Sequence, residues 1–290
     1  MDFINRIIAL FMSIISFFTG FFGLEDKLNL PTEFDSSRFE LVWSDEFDGR
    51  ELDETKWRFS SGTPNTTVRR GGYWNNEMLE IKDGNLHIYT KYLENGVKEG
   101  DKAGWYSTGI TTSELFEQTY GYFEARCIIP KGHGIWSAFW MANKDGNANP
   151  YPDGSHGGEV DIFESFYYST DNPNRVIGAV HWGGYGDAHK SIPVYYNNNV
   201  LHNIYDEYNT YGMEWNENEY VFYFNGKKAG SVQKDEAVAS RVPLYLILTC
   251  EVMGSNGTPK DNAQVKSADN NPKTHVGDFV VDYVRVYQYK

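Results

Sequence analysis

From Phe39 onward, turns cut the chain into short runs of β-branched and aromatic residues, with little helical period anywhere. Leu86 to Tyr92 follows the turn Lys82-Asp83-Gly84-Asn85, and Gly121 to Ile129 and Ile135 to Met141 flank Pro130-Lys131-Gly132-His133-Gly134. Glu219 to Phe224 ends in Asn225-Gly226, a hairpin signal because both residues tolerate positive φ. Leu244 to Cys250 and Phe279 to Tyr289 complete the set. Many short strands spaced by turns predict an all-β sandwich. Aromatic residues, at 16 % of the chain, suit such strands and their packing. With 40 % hydrophobic residues and no internal repeat, the 290 residues read as one sizeable domain behind an N-terminal segment.

One of these runs carries an acidic row. In Gly158-Glu159-Val160-Asp161-Ile162-Phe163-Glu164, charged and apolar residues alternate, so a strand puts Glu159 and Asp161 on one face and Val160 and Ile162 in the core. Glu164 is at an odd offset from Glu159 and would point inward. A one-residue bulge near Phe163 returns it to the acidic face. The two Glu Cα atoms are then ~13 Å apart, and side chains leaning together leave a carboxyl gap of roughly 5 Å. Retaining glycosidases need their two carboxyl groups ~5–5.5 Å apart. Carboxylates this close cannot all ionise freely, so the row should hold at least one proton near neutral pH. The plain alternative is an amphipathic strand with its acidic face in water.

A net charge of −14 disfavours a nucleic-acid partner. The seven His are scattered, and no Cys-x-x-Cys or His-Glu-x-x-His spacing occurs, which disfavours zinc chemistry. Cys127 and Cys250 each sit in an apolar run; buried free thiols are expected, with a disulfide as the alternative. Asp153-Gly154-Ser155-His156-Gly157-Gly158 lacks the lysine and the following helix of a phosphate cradle, and reads as a loop beside a cleft.

The acidic strand resembles the active-site strand of glycoside hydrolase family 16 in its bulged form. The resemblance extends through Trp43-Ser44-Asp45-Glu46-Phe47, Asn75-Asn76-Glu77, Tyr120 to Arg126, Gly134 to Met141, His181-Trp182 and Asp282 to Tyr287. It implies a jelly roll whose concave face holds a polysaccharide, with Glu159 as nucleophile, Glu164 as general acid/base and Asp161 tuning the nucleophile. Trp136 and Trp140, four apart on a strand, share a face; the resemblance puts them in the cleft, and two core tryptophans are the alternative. His181 alternates with Trp182 and is the better candidate to reach a carboxylate or sugar, and Asn76 resembles a substrate-side residue. The resemblance also implies a structural calcium held by Asp282 with the carbonyls of Glu46 and Gly84, and no cofactor for catalysis. Alternation places Asp282 among Val280, Val284 and Val286, where a carboxylate needs a cation; a salt bridge is the competing reading.

The resemblance implies retaining endo-cleavage of β-1,3 or mixed β-1,3/1,4 glucan by a monomer. An endo-β-galactosidase or agarase-type enzyme on galactans or mucin-type glycans is the nearest rival, and a non-catalytic jelly-roll lectin is the rival outside the enzymes. Two departures bear on the sugar: Thr108-Gly109 precedes Ile110 where laminarin-cleaving members carry Arg, and Ser137 replaces the usual Pro after Trp136. Arg6 precedes an uncharged run from Ile7 to Gly23. Residues 1–23 read as a signal peptide or an uncleaved anchor of ~17 apolar residues, either of which exports the domain. Residues 24–37 read as a linker and 38–290 as the catalytic domain.

Overall fold

The computed structural model describes residues 33–144, 154–165, 176–196, 204–233, 239–260 and 276–290. The expected export segment and most of the expected linker lie outside them. Among the described residues, regular structure is strand apart from the 3-10 turns Ser36–Arg38 and Asn76–Met78. Phe34–Lys290 forms one compact unit.

Two sheets dominate. A seven-stranded sheet runs in the order Lys190–Tyr195, Ile177–Trp182, Glu159–Ser165, Ile135–Ala142, Tyr245–Val252, Gly109–Thr111, Arg58–Phe59. An eleven-stranded sheet is centred on Gly121–Ile128 and the long C-terminal strand Val276–Tyr289. The sandwich expected from the turn spacing is present, with one exception to the antiparallel rule. Gly72–Trp74 pairs in parallel with Gly104–Ser107, because the chain makes further strands between them before returning.

The core fills the space between the sheets. Phe123, Ala125 and Cys127 face Phe139, Met141, Ile162 and Phe163 in one apolar cluster, all fully buried. Large side chains of this kind contribute about 1.5–3 kcal/mol each when buried. Both cysteines are buried free thiols, and Cys250 Sγ lies 3.2 Å from Thr90 Oγ1.

The C-terminal strand corrects one expectation. Its buried residues are Phe279, Val281, Val284 and Val286, so the alternation changes phase partway along. The register against Gly121–Ile128 shifts between Val281 and Tyr283. That irregularity turns Asp282 away from the valines, and its carboxylate meets Arg126 Nη1 at 2.5 Å. Glu46 takes two hydrogen bonds from Arg285, at 3.0 and 2.8 Å. The cation beside the Asp282 carboxylate is the Arg126 guanidinium, the salt bridge that was the competing reading for this position. Gly84, expected to lend its carbonyl to calcium, is a left-handed turn residue at φ +73°. Chelation with EDTA should move the melting temperature by less than about 1 °C; a fall of several degrees that calcium reverses would return an ion to this strand.

Candidate active site

The strand Glu159–Ser165 pairs on one side with Ile135–Ala142: Ala142 is opposite Glu159, Trp140 opposite Asp161, and Ala138 opposite Glu164. The register slips between Phe139 and Trp140, where Phe139 meets Phe163 and Ile162 has no partner. The pairing with Ile177–Trp182 slips at the same place, between Asp161 and Glu164. One unpaired residue therefore restores Glu164 to the face of Glu159 and Asp161, as the spacing of the acidic residues requires. Val160, Ile162 and Phe163 stay in the core, at most 2 % exposed. Trp136 and Trp140 line the same cleft with the three carboxylates, so they are not core residues.

Surroundings separate the carboxyl groups chemically. Burial pushes the Glu164 carboxyl up to about 9, and the neighbouring Asp161 charge adds to the effect. Trp136 Nε1 donates to Glu164 Oε1 at 2.8 Å and opposes the shift without cancelling it. Glu164 is therefore protonated at neutral pH, the form a proton donor needs. Asp161 is 2 % exposed, and burial together with the Glu159 charge raises its carboxyl well above the usual range. His181, on the neighbouring strand, puts Nε2 at 3.1 Å from Asp161 Oδ2 and 4.0 Å from Glu159 Oε1. One ligand atom from each of Glu159, Asp161 and His181 lies within 4.8 Å of the others, so these groups feel one another directly. An acetal oxygen laid along this face could take the Glu164 proton while Glu159 attacks its carbon.

Two arginines that carry no motif in the sequence form a wall of the cleft. Arg69 ends the strand Thr67–Arg69, and Arg70 begins the turn to Gly72–Trp74. Arg70 takes φ +49°, and a side chain on the next residue, Gly71, would come within 2.4 Å of the Met253 carbonyl oxygen. The constrained turn lays the Arg70 guanidinium over the Trp136 ring, 3.9 Å from its centroid. Both arginines pair with Glu251, which is 5 % exposed on the strand Tyr245–Val252. A signal existed: two adjacent arginines before Gly71-Gly72 stand out in so acidic a chain. Trp140 Nε1 bonds Thr249 Oγ1 at 3.2 Å. Asn76 lies apart from this cluster. It begins the 3-10 turn Asn76–Met78, its Oδ1 accepts from Ser61 Oγ at 3.4 Å, and it is not among the residues lining this cleft.

Residues 40–289 match the family model described as "Beta-porphyranase A-D, GH16 domain". The chain is 26 % identical over 284 residues to glucan endo-1,3-beta-glucosidase A1 of Niallia circulans, covering 90 % of this chain and 40 % of that protein. It is 28 % identical over 273 residues to the keratan-sulfate endo-1,4-beta-galactosidase of Sphingobacterium multivorum, covering 90 % of this chain and 58 % of that one. The chain thus spans less than two thirds of the length of these curated relatives. Among solved structures, the laminarinase catalytic domain from Thermotoga maritima superposes with a TM-score of 0.65 at 26 % identity, over 87 % of this chain and 99 % of that one. That domain and the described sheets share the jelly-roll fold.

Two outcomes follow from the raised Glu164 carboxyl. Activity should fall on the alkaline side with a midpoint near about 9, as the proton donor is lost. A carboxyl raised in the folded state stabilises the protein below the unfolded value, and that stability is lost as pH rises toward about 9. Glu164→Gln should therefore raise the melting temperature at pH 8 by at least ~2 °C and flatten its decline between pH 5 and 9, while removing activity. A melting curve for the variant that declines as steeply as the wild type would show that Glu164 is not held neutral.

Proposed function

The chain belongs to glycoside hydrolase family 16, and from that premise we propose that it cuts internal β-1,3 or mixed β-1,3/1,4 linkages of a glucan with net retention. The observation that carries this reading is the protonated Glu164 on the same cleft face as Glu159, separated from it by one bulge. Glu164 gives its proton to the leaving oxygen as the Glu159 carboxylate bonds to the anomeric carbon. Glu164 then takes a proton from the water that releases the sugar. Asp161 and His181 hold the nucleophile's surroundings in order. Relatives named for 1,3-beta-glucosidase and 1,3-1,4-beta-glycanase activity support the glucan. Such a polymer is met outside the cell, so residues 1–23 act as an export segment, and the domain works as a monomer.

A second reading has its own observation. Arg69 and Arg70 give the wall of the cleft a cationic face that a neutral glucan does not require. With a family model described as β-porphyranase and a relative named for keratan sulfate, that face supports an anionic galactan as substrate.

One screen decides between them. Laminarin, lichenan, agarose, porphyran, carrageenan, keratan sulfate and mucin glycans are incubated with the protein, and new reducing ends are measured. Release from laminarin or lichenan, with the β-anomer appearing first by NMR, is the expected result. Release from the acidic galactans alone would transfer the assignment to the second reading. Binding without release from any polymer would make the protein a lectin, and α-anomers would reject retention. Glu159→Ala and Glu164→Ala should each lower kcat on the cleaved polymer by at least ~10³-fold.

A further inference from the structure

The hairpin joining Ile177–Trp182 to Lys190–Tyr195 turns through Gly183 to His189 beside the acidic row. Gly183 and Gly184 have φ of +79° and +71°. A Cβ on Gly183 would come within 2.3 Å of the Ala188 carbonyl oxygen, so this position admits only glycine. The His189 N–H donates to the Gly186 carbonyl at 3.0 Å and closes the turn. In that shape the turn lays two side chains on the catalytic groups. The Tyr185 hydroxyl donates to Oε2 of Glu159. His189 Nε2 lies 3.0 Å from Nδ1 of His181, with the two ring planes 12° apart.

We propose that Tyr185 and His189 are positioning residues of the double displacement, Tyr185 selecting the oxygen of Glu159 that attacks and His189 fixing the tautomer of His181 that faces Asp161. The proposal rests on the assignment of Glu159 as nucleophile. With Oε2 engaged by Tyr185, Oε1 is the free oxygen. Its lone pair bonds to the anomeric carbon, the bond to the leaving oxygen breaks, and that oxygen takes the proton of Glu164. Tyr185 then donates to Oε2 as the carbonyl oxygen of the glycosyl ester. Water attacks, returns a proton to Glu164, and sends the bonding pair back to Oε1. Partial desolvation and the Glu159 charge beside it raise the Tyr185 hydroxyl above its ordinary value although the ring is half-exposed, so it remains a donor throughout.

The histidine pair acts on the other carboxyl. A hydrogen bond between two imidazoles needs one N–H and one lone pair. When His189 Nε2–H donates to His181 Nδ1, His181 carries its proton on Nε2, 3.1 Å from Asp161 Oδ2. That buried oxygen makes no hydrogen bond as the side chains stand, and His181 Nε2 is the polar atom beside it, so the tautomer decides whether it faces a proton or a lone pair. Among the described residues, the other charged and titratable groups of this cleft are Glu164 on the same strand, Arg69, Arg70 and Lys144, and Tyr245 and Glu251 on the strand Tyr245–Val252.

The test uses the full chain with Tyr185→Phe, His189→Ala and His189→Gln, and Glu159→Gln to assign a resonance. Carbon NMR follows the Glu159 carboxyl, assigned by its disappearance in Glu159→Gln, and nitrogen NMR reads which ring nitrogen of His181 is protonated. Tyr185→Phe should move the Glu159 carboxyl resonance at neutral pH, because the hydrogen bond donated to Oε2 is lost. On the polymer cleaved in the screen above it should lower kcat about tenfold, with KM within about twofold. His189→Ala should change His181 from a single Nε2–H form to a mixture of both tautomers, and His189→Gln, which keeps a donor, should restore the single form. An unmoved Glu159 carboxyl resonance, or a rise in KM with kcat intact, overturns the role of Tyr185. An unchanged His181 tautomer in His189→Ala overturns that of His189. The NMR measurements need no substrate, so a protein that cleaves nothing in the screen would reject the proposed function while these two contacts are still decided.

Discussion

A strand with a two-residue period cannot put positions 159 and 164 on the same face, and here a single unpaired residue, Ile162, resolves that conflict. Without it, Glu164 would enter a core built from Phe139, Ile162 and Phe163, and Phe163 would enter the cleft. The bulge is registered against both neighbouring strands at the same point, so the whole seven-stranded sheet holds it. Catalytic geometry in this protein is thus a property of sheet pairing.

Once the carboxyl groups share a face, their surroundings make them different. Glu164 is pushed toward the neutral acid by burial despite the indole N–H that it accepts. Asp161 is pushed the same way by burial and by Glu159. Arg70 lies over that indole and lowers the charge cost at Asp161, while Glu251, paired with both arginines, balances one of their two charges. A strongly acidic chain therefore uses its few cations selectively, inside the cleft as well as on the surface.

Much of the site is legible in the order of residues along the chain. Alternation and turn residues mark the strands around it, the odd offset between Glu159 and Glu164 demands a bulge, and the four-residue spacing of Trp136 and Trp140 puts them on one face. The same reasoning fails at Asp282, where a register shift between Val281 and Tyr283 reverses the alternation and delivers the carboxylate to Arg126. Nothing local announces that irregularity, because it is set by how the C-terminal strand satisfies its neighbours on both sides. Asn76 sits on a 3-10 turn that pairing along the chain does not announce, with its Oδ1 accepting from Ser61 Oγ.

The sequence by itself determined the strands, the family and the three carboxylates, because side-chain alternation and motif spacing are properties of neighbours along the chain. Only the tertiary structure decided what stands opposite those carboxylates. Arg69 and Arg70 come from a turn far earlier in the chain, Glu251 from a strand far later, and Tyr185 and His189 from a glycine-shaped hairpin. Their meeting depends on which strands pair and how each turn bends. The pKa of a carboxyl depends on burial and on charges a few ångströms away, and neither distance is encoded in separation along the sequence.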